Sequence, residues 1–285
     1  MWSARSSRSC GKPRSSGQGE SQGDNLQAYD LLLRSRFTFG QQTRDALEES
    51  YRLLQRAVEL DPNYPLALAW LARTQWSIDS QHFRFPSIAE VDRYVRIAQR
   101  AVELGPDDPE VLVVASLVIS QPGGDPTEAT ALVNRALALN PNSAEAWAMS
   151  AMLHALAGEV ETALKRLGRS VQLCPMNLWV SWQHSAFVWT HFAAGRYEDA
   201  LVWAERGLRR NPNHVVFPKH KAAVLGLLGR TNEAQQVVQC LLALVPDLTI
   251  SRLRDVGSIV HDHSISRVTL RDAQLEGLRR AGLPE

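Results

Sequence analysis

An eight-residue phrase returns six times along the 285-residue chain, and it constrains the fold more than any other feature of the sequence. It reads RAVELDPN from Arg56, RAVELGPD from Arg100, RALALNPN from Arg135, RSVQLCPM from Arg169, RGLRRNPN from Arg206 and CLLALVPD from Cys240. Its prolines, Pro62, Pro106, Pro141, Pro175, Pro212 and Pro246, fall 44, 35, 34, 37 and 34 residues apart, which gives a base period of about 34. Proline donates no N–H and its ring clashes with the preceding turn, so each phrase closes a helix. Start signals follow the stops. Asn142, three residues before Glu145, reads as a capping box, and Asp108 before Pro109 sets an N-cap and a first helical position. Gly158, Gly195 and Gly229 break three of the units midway, so the unit is helix, turn, helix.

Composition narrows the class. With 45% hydrophobic and 21% charged residues, the chain has material for a sizeable core. A formal net charge of +1 gives no reason to expect nucleic acid or an anionic membrane as partner. The most apolar stretch, Val111 to Ile119, is far shorter than the roughly 20 residues that span a bilayer, so no transmembrane helix is expected. Cys10, Cys174 and Cys240 are widely spaced, without a C-x-x-C pair, which fits a reducing, cytoplasmic setting. Cys174 and Cys240 are expected to pack as small hydrophobes at helix ends. Residues 1–24, dense in Ser, Gly and Arg, are expected to be a disordered tail.

The repeating unit resembles the tetratricopeptide repeat, most clearly in the fourth copy. There Trp147 stands at the family's aromatic position, Ala151 at the small position of the first helix and Gly158 at the turn. Ala163 and Ser170 stand at the small positions of the second helix, and Pro175 at the terminator. The resemblance implies an all-α solenoid of about six helix-turn-helix repeats over residues 25–247, with residues 248–285 as a helical cap. The cap is expected to carry no repeat signature and to turn Arg271, Asp272, Glu276, Arg279 and Arg280 outward. The chain departs from the family pattern near GQQTR and DSQHFRFPS, read as insertions, and at His184 and Lys221, where an apolar residue is usual. DNLQAYDLLLRSRF, LDPNYPLALAWLA and LEGLRRAGLPE also resemble the repeat-bearing C-terminal region of bacterial class III adenylate or guanylate cyclases, although no catalytic domain is encoded in these residues.

The family resemblance implies a protein-interaction scaffold that holds a peptide or partner domain in its concave groove, with a cyclase catalytic domain as the alternative partner. It also places the first helix of each unit along that groove. In the fifth unit its groove positions are Trp179, Trp182, Ala186 and Trp189; Arg73 and Trp76 correspond in the second unit and Lys219 in the sixth. Trp147 and Trp203 are read as core. Ala148, Met152 and Ala186 stand where a carboxylate clamp needs polar side chains, which disfavours that mode of tail binding. No enzymatic activity or cofactor is expected, because Walker, G-x-G-x-x-G, G-x-S-x-G and H-E-x-x-H motifs are all missing. His261 and His263 lie two apart and diverge on a helix; His184 and His191 lie two turns apart, too far to share a metal.

Overall fold

The computed structural model describes residues 17–81, 86–121, 124–174, 180–212, 214–258 and 265–285. Among them every regular element is a helix, and the helices come in pairs. The pairs are α1 (Gly17–Phe39) with α2 (Arg44–Leu60), α3 (Pro65–Gln81) with α4 (Ile88–Leu104), and α5 (Pro109–Ile119) with α6 (Pro126–Leu139). They continue with α7 (Ala144–Leu156) and α8 (Val160–Leu173), α9 (Val180–Ala193) and α10 (Tyr197–Arg210), and α11 (Val216–Leu227) and α12 (Thr231–Leu244). Two helices, α13 (Ile250–Ser258) and α14 (Ile265–Arg280), end the chain. This is the all-α solenoid that the repeat implies.

The recurrent phrase has one structural job in all six units. The residue before its proline caps the helix by donating its N–H to the carbonyl of the phrase's second residue: Asp61 to Ala57, Gly105 to Ala101, Asn140 to Ala136, Cys174 to Ser170, Asn211 to Gly207 and Val245 to Leu241. That second residue is buried in every unit. In five of the six it is Ala, Ser or Gly, and Leu241 is the exception; a small side chain suits a place where the next helix crosses. A Cβ at Gly207 would lie within 2.5 Å of the Phe217 ring on α11. Ser170 uses the same place as a stitch: its hydroxyl donates to the Ala144 carbonyl at 2.7 Å and accepts from Gln183 Nε2 at 2.7 Å, joining α8 to α7 and α9.

The midway glycines are required by backbone conformation. Gly158, Gly195 and Gly229 have φ of 83°, 68° and 73°, a region L side chains disfavour, and the next residues' N–H groups return to the carbonyls of His154, His191 and Leu225. Gly282 repeats the device at φ 88°, with the Leu283 N–H on the Leu278 carbonyl. The cap therefore does carry a repeat feature: α14 ends as the first helix of a unit does. It packs on α11 through Gly226 and Gly277.

Several sequence expectations are corrected locally. α1 begins at Gly17, within the stretch read from the sequence as a tail. The cap of α7 is Ser143, whose hydroxyl accepts from the Ala146 N–H, rather than Asn142. The extra residues of the second unit go into its helices: α3 and α4 are 17 residues each, with Ser87 and Glu90 closing a full capping box on α4. Trp147 and Trp203 are partly exposed, as amphipathic indoles can be: Trp147 Nε1 donates to the Pro141 carbonyl at 2.9 Å beneath Arg166, and Trp203 stacks on Phe187 at 3.8 Å. Cys174 is half-buried and Cys240 exposed. Pro175, His261 and His263 lie outside the described residues.

Candidate functional site

The odd-numbered helices from α1 to α11, each the first of its pair, line one concave cleft of about 290 Å³. Its walls take Arg36 and Phe39 from α1, Trp70, Arg73 and Trp76 from α3, and Leu117 of α5 with Ser120, the residue that caps it. Met149, Met152 and Leu156 come from α7, Trp182, Ser185 and Trp189 from α9, and Val216 from α11. The spacing within each helix is three or four residues, which holds the side chains on one face.

At one end of the cleft a cation sits in an aromatic cradle. Phe39 and Trp70 meet edge to face at 5.2 Å, and the Arg73 guanidinium lies 5.2 Å from each ring centroid. Arg36 approaches Trp70 from 5.4 Å and pairs with Glu110 at 2.8 Å. Arg73 is only 4% exposed, and burial lowers its pKa to about 9 against the opposing fields of Glu145 and Glu110. Burial likewise raises the Glu110 carboxyl, while Arg36 works against that rise. Aromatic faces offset part of the hydration a guanidinium loses, which is how a cation is tolerated here.

At the other end the cleft wall is mainly aromatic. Trp189 meets His220 edge to face at 4.7 Å and lies 6.1 Å from Phe192. Trp182 is half-buried between the α5–α7 core and the α7–α9 core. Two turns of α9 thus hold both tryptophans in place along the wall of the cleft.

Of the residues expected to form the groove, Arg73, Trp76, Trp182 and Trp189 are brought together. Trp179 lies outside the described residues. Lys219 does not line the cleft; it is half-buried on α11, where burial lowers its pKa to about 8. The register of α11 is set by Phe217, fully buried against Gly207, and that register presents Val216 instead. Ala186 is fully buried against α7, and Ser185 takes the lining place. Sequence reasoning missed Arg36, Phe39, Leu117, Ser120, Met149 and Leu156. The i, i+3, i+7 pattern of Trp182, Ser185 and Trp189, carried to Met149, Met152 and Leu156, was the available signal. His184 tilts against Trp203 at 5.5 Å, and burial, reinforced by Arg206, Arg210 and Arg209, lowers its pKa to about 4.

Among the described residues no group of three or more His, Cys, Asp or Glu side chains is placed to hold a metal, and no helix is long and apolar enough to cross a membrane.

Neither a family model nor a curated relative matches the sequence. Solved structures do match in fold. A thermophilic tetratricopeptide-repeat protein of Thermus thermophilus, TTC0263, superposes with a TM-score of 0.51 at 20% identity, over 72% of this chain and 98% of that one. PilW, a type IV pilus biogenesis factor, gives 0.53 at 18% identity, over 85% of this chain and 100% of its own. Human IFIT1, solved as a dimer with m7Gppp-AAAA, gives 0.59 at 18% identity, over 84% of this chain and 56% of that one. At these identities the likeness concerns the fold alone: the chain has the helical-repeat superhelix of tetratricopeptide-repeat proteins.

Proposed function

We propose that this chain is a protein-interaction scaffold that receives a segment of a partner protein in its concave cleft and performs no chemistry of its own. One observation carries the reading: Trp76, Trp182, Trp189, Met149 and Met152, drawn from three helices, converge on the wall of one open cleft among the described residues. Rigid indoles beside adaptable thioethers are the side chains from which peptide-binding hot spots are built. The segment that fits is extended or helical, with two or more large apolar anchors along the α7–α9 wall. Its acidic group is matched to Arg73 at the cradle end. A cyclase catalytic domain, suggested by the sequence resemblance, is the alternative source of that segment; adding such a domain in trans tests it.

Selection from a displayed random-peptide library tests the scaffold reading. Peptides enriched on the wild type are expected to bind Trp182→Ala about 30-fold more weakly, the loss of one central anchor worth about 2 kcal/mol. Lys219→Ala, outside the cleft, is expected to leave affinity within about two-fold. Enriched peptides that ignore Trp182→Ala and Trp189→Ala alike would remove the cleft as the binding surface.

A further inference from the structure

The first helix has two apolar faces. One is the expected core side, where Ala28 and Leu32 are fully buried and Phe39 is 7% exposed. On the opposite side Leu26, Tyr29, Leu33 and Phe37 are 73%, 52%, 44% and 69% exposed. Their spacings of three, four and four residues form a stripe about three turns long. A helix apolar on opposite sides is built to be covered twice, as the interior helices of a stack are. Scattered surface leucines need no explanation, but a continuous stripe marks an interface.

We infer that this stripe is a self-association surface on which a second copy of the chain docks, α1 against α1, antiparallel about a two-fold axis. The stripe is self-complementary in shape. Leu26 and Phe37 lie on the same line of the helix, 11 residues or about 16 Å apart at ~1.5 Å per residue. A two-fold axis near residue 32 therefore sets Phe37 of one copy beside Leu26 of the other. A groove between α1 and α2 opens at that point, lined by Leu26, Leu31 and Leu60 with Gln27, Asp30 and Arg56 at its rim, and it gives the incoming ring an apolar seat.

Charge is complementary in the same register. Asp30 and Arg34 flank the stripe on one side, more than 60% exposed and 3.8 Å apart. The two-fold that pairs Leu26 with Phe37 sets Asp30 of each copy level with Arg34 of the other, so two cross-copy ion pairs flank the apolar seam. The four stripe residues and their flanks supply on the order of 500 Å² per copy, about 1,000 Å² in total, at the low end of specific interfaces, so the dimer is a concentration-dependent one.

Sedimentation velocity on the full chain from about 1 µM to 200 µM tests this, a range suited to a weak, concentration-dependent dimer. The wild type is expected to pass from monomer to dimer within that range. Phe37→Glu, which touches neither core nor cleft, is expected to stay monomeric throughout with an unchanged thermal melt. Asp30→Arg and Arg34→Asp are each expected to dimerise at least about five-fold more weakly, because each places like charges across the seam. Mixed in equal amounts, the two are expected to form a heterodimer tighter than either homodimer, since every cross-copy pair is then opposite in sign. A wild type that stays monomeric at 200 µM assigns the stripe to another partner and overturns the inference. Wild-type behaviour from Phe37→Glu, or a mixture no tighter than its parts, overturns it too.

Discussion

Lowering the pH from 7 to about 4.5 is expected to destabilise the C-terminal repeats by several kcal/mol, while the first three units change little. The cause is a set of histidines folded in their neutral form. Burial lowers His214 and His184 to about 4, holds His220 well below its ordinary value and lowers His191 in spite of Asp199 nearby. An unfolded histidine takes up its proton near pH 6.5, whereas these take it up only near 4 or below. Between those values the unfolded chain binds more protons, so stability falls as the pH falls through that window. For His214, 9% exposed, the difference is worth about 3 kcal/mol at roughly 1.4 kcal/mol per pH unit. The partly exposed His184 contributes less because solvent screens it.

His220 adds a specific joint to this loss. Its Nδ1 lies 2.7 Å from Gln274 Nε2 on α14, so the neutral ring accepts the amide proton, and its edge packs on Trp189. A protonated ring would present N–H to that amide and release α14. Lys219, one residue away and lowered to about 8 by burial, costs stability at neutral pH and recovers it as pH rises toward 10.5. Urea unfolding at pH 7, 6, 5 and 4.5 measures the loss, and hydrogen exchange locates it in α9 to α14. His214→Gln with His220→Gln is expected to be less stable at pH 7 and to lose about half as much on acidification. A double variant with the wild-type pH slope would show that the titrating groups lie elsewhere.

The sequence carried the fold because the same two backbone constraints recur at a fixed period. The phrase from RAVELDPN to CLLALVPD names a buried residue, small in five of the six copies, and the residue that caps on it, and the Gly158, Gly195 and Gly229 turns name a backbone conformation. Both are local, so spacing alone exposes them. What it did not expose depends on how helices rotate against one another. Lys219 occupies a groove position when residues are counted from Pro212, yet α11 starts at Val216 and turns on the anchor Phe217. Ala186 occupies a groove position by count, yet the close packing of α9 on α7 takes it inward and brings Ser185 to the wall. Arg36 and Phe39 precede the first phrase and so had no register to be counted in. The α14 repeat feature was hidden for a related reason: Ala281-Gly282 matches Ala157-Gly158 and Ala194-Gly195, but α13 intervenes and displaces it from the period.

Gly226→Ala and Gly277→Ala are each expected to lower stability by about 2 to 4 kcal/mol and to free the cap, although glycine-to-alanine changes in helices ordinarily stabilise by up to about 1 kcal/mol. The two helices cross with backbone on backbone. A Cβ at Gly226 would stand closer than 3.0 Å to the Gly277 carbonyl oxygen, and one at Gly277 closer than 3.0 Å to the Ala223 carbonyl oxygen. Neither obstacle is the flexible end of a side chain, so accommodation requires α14 to move away from α11. That movement also opens the seat of Leu275 and Leu278, both in the C-terminal core, and strains the bond from the Ile250 N–H to the Pro284 carbonyl at 2.7 Å. Both substitutions oppose one approach, so their effects overlap: once the helices have separated for the first methyl, the second meets less resistance. The double variant is expected to lose clearly less than the sum of the singles, a coupling of about 1 kcal/mol or more in a double-mutant cycle. Denaturant unfolding gives the energies, and limited proteolysis after Leu248 reports release of the cap. Additive losses would mean that the two glycines act at separate contacts, and stabilised single variants would mean that α14 does not pack on α11 at this distance.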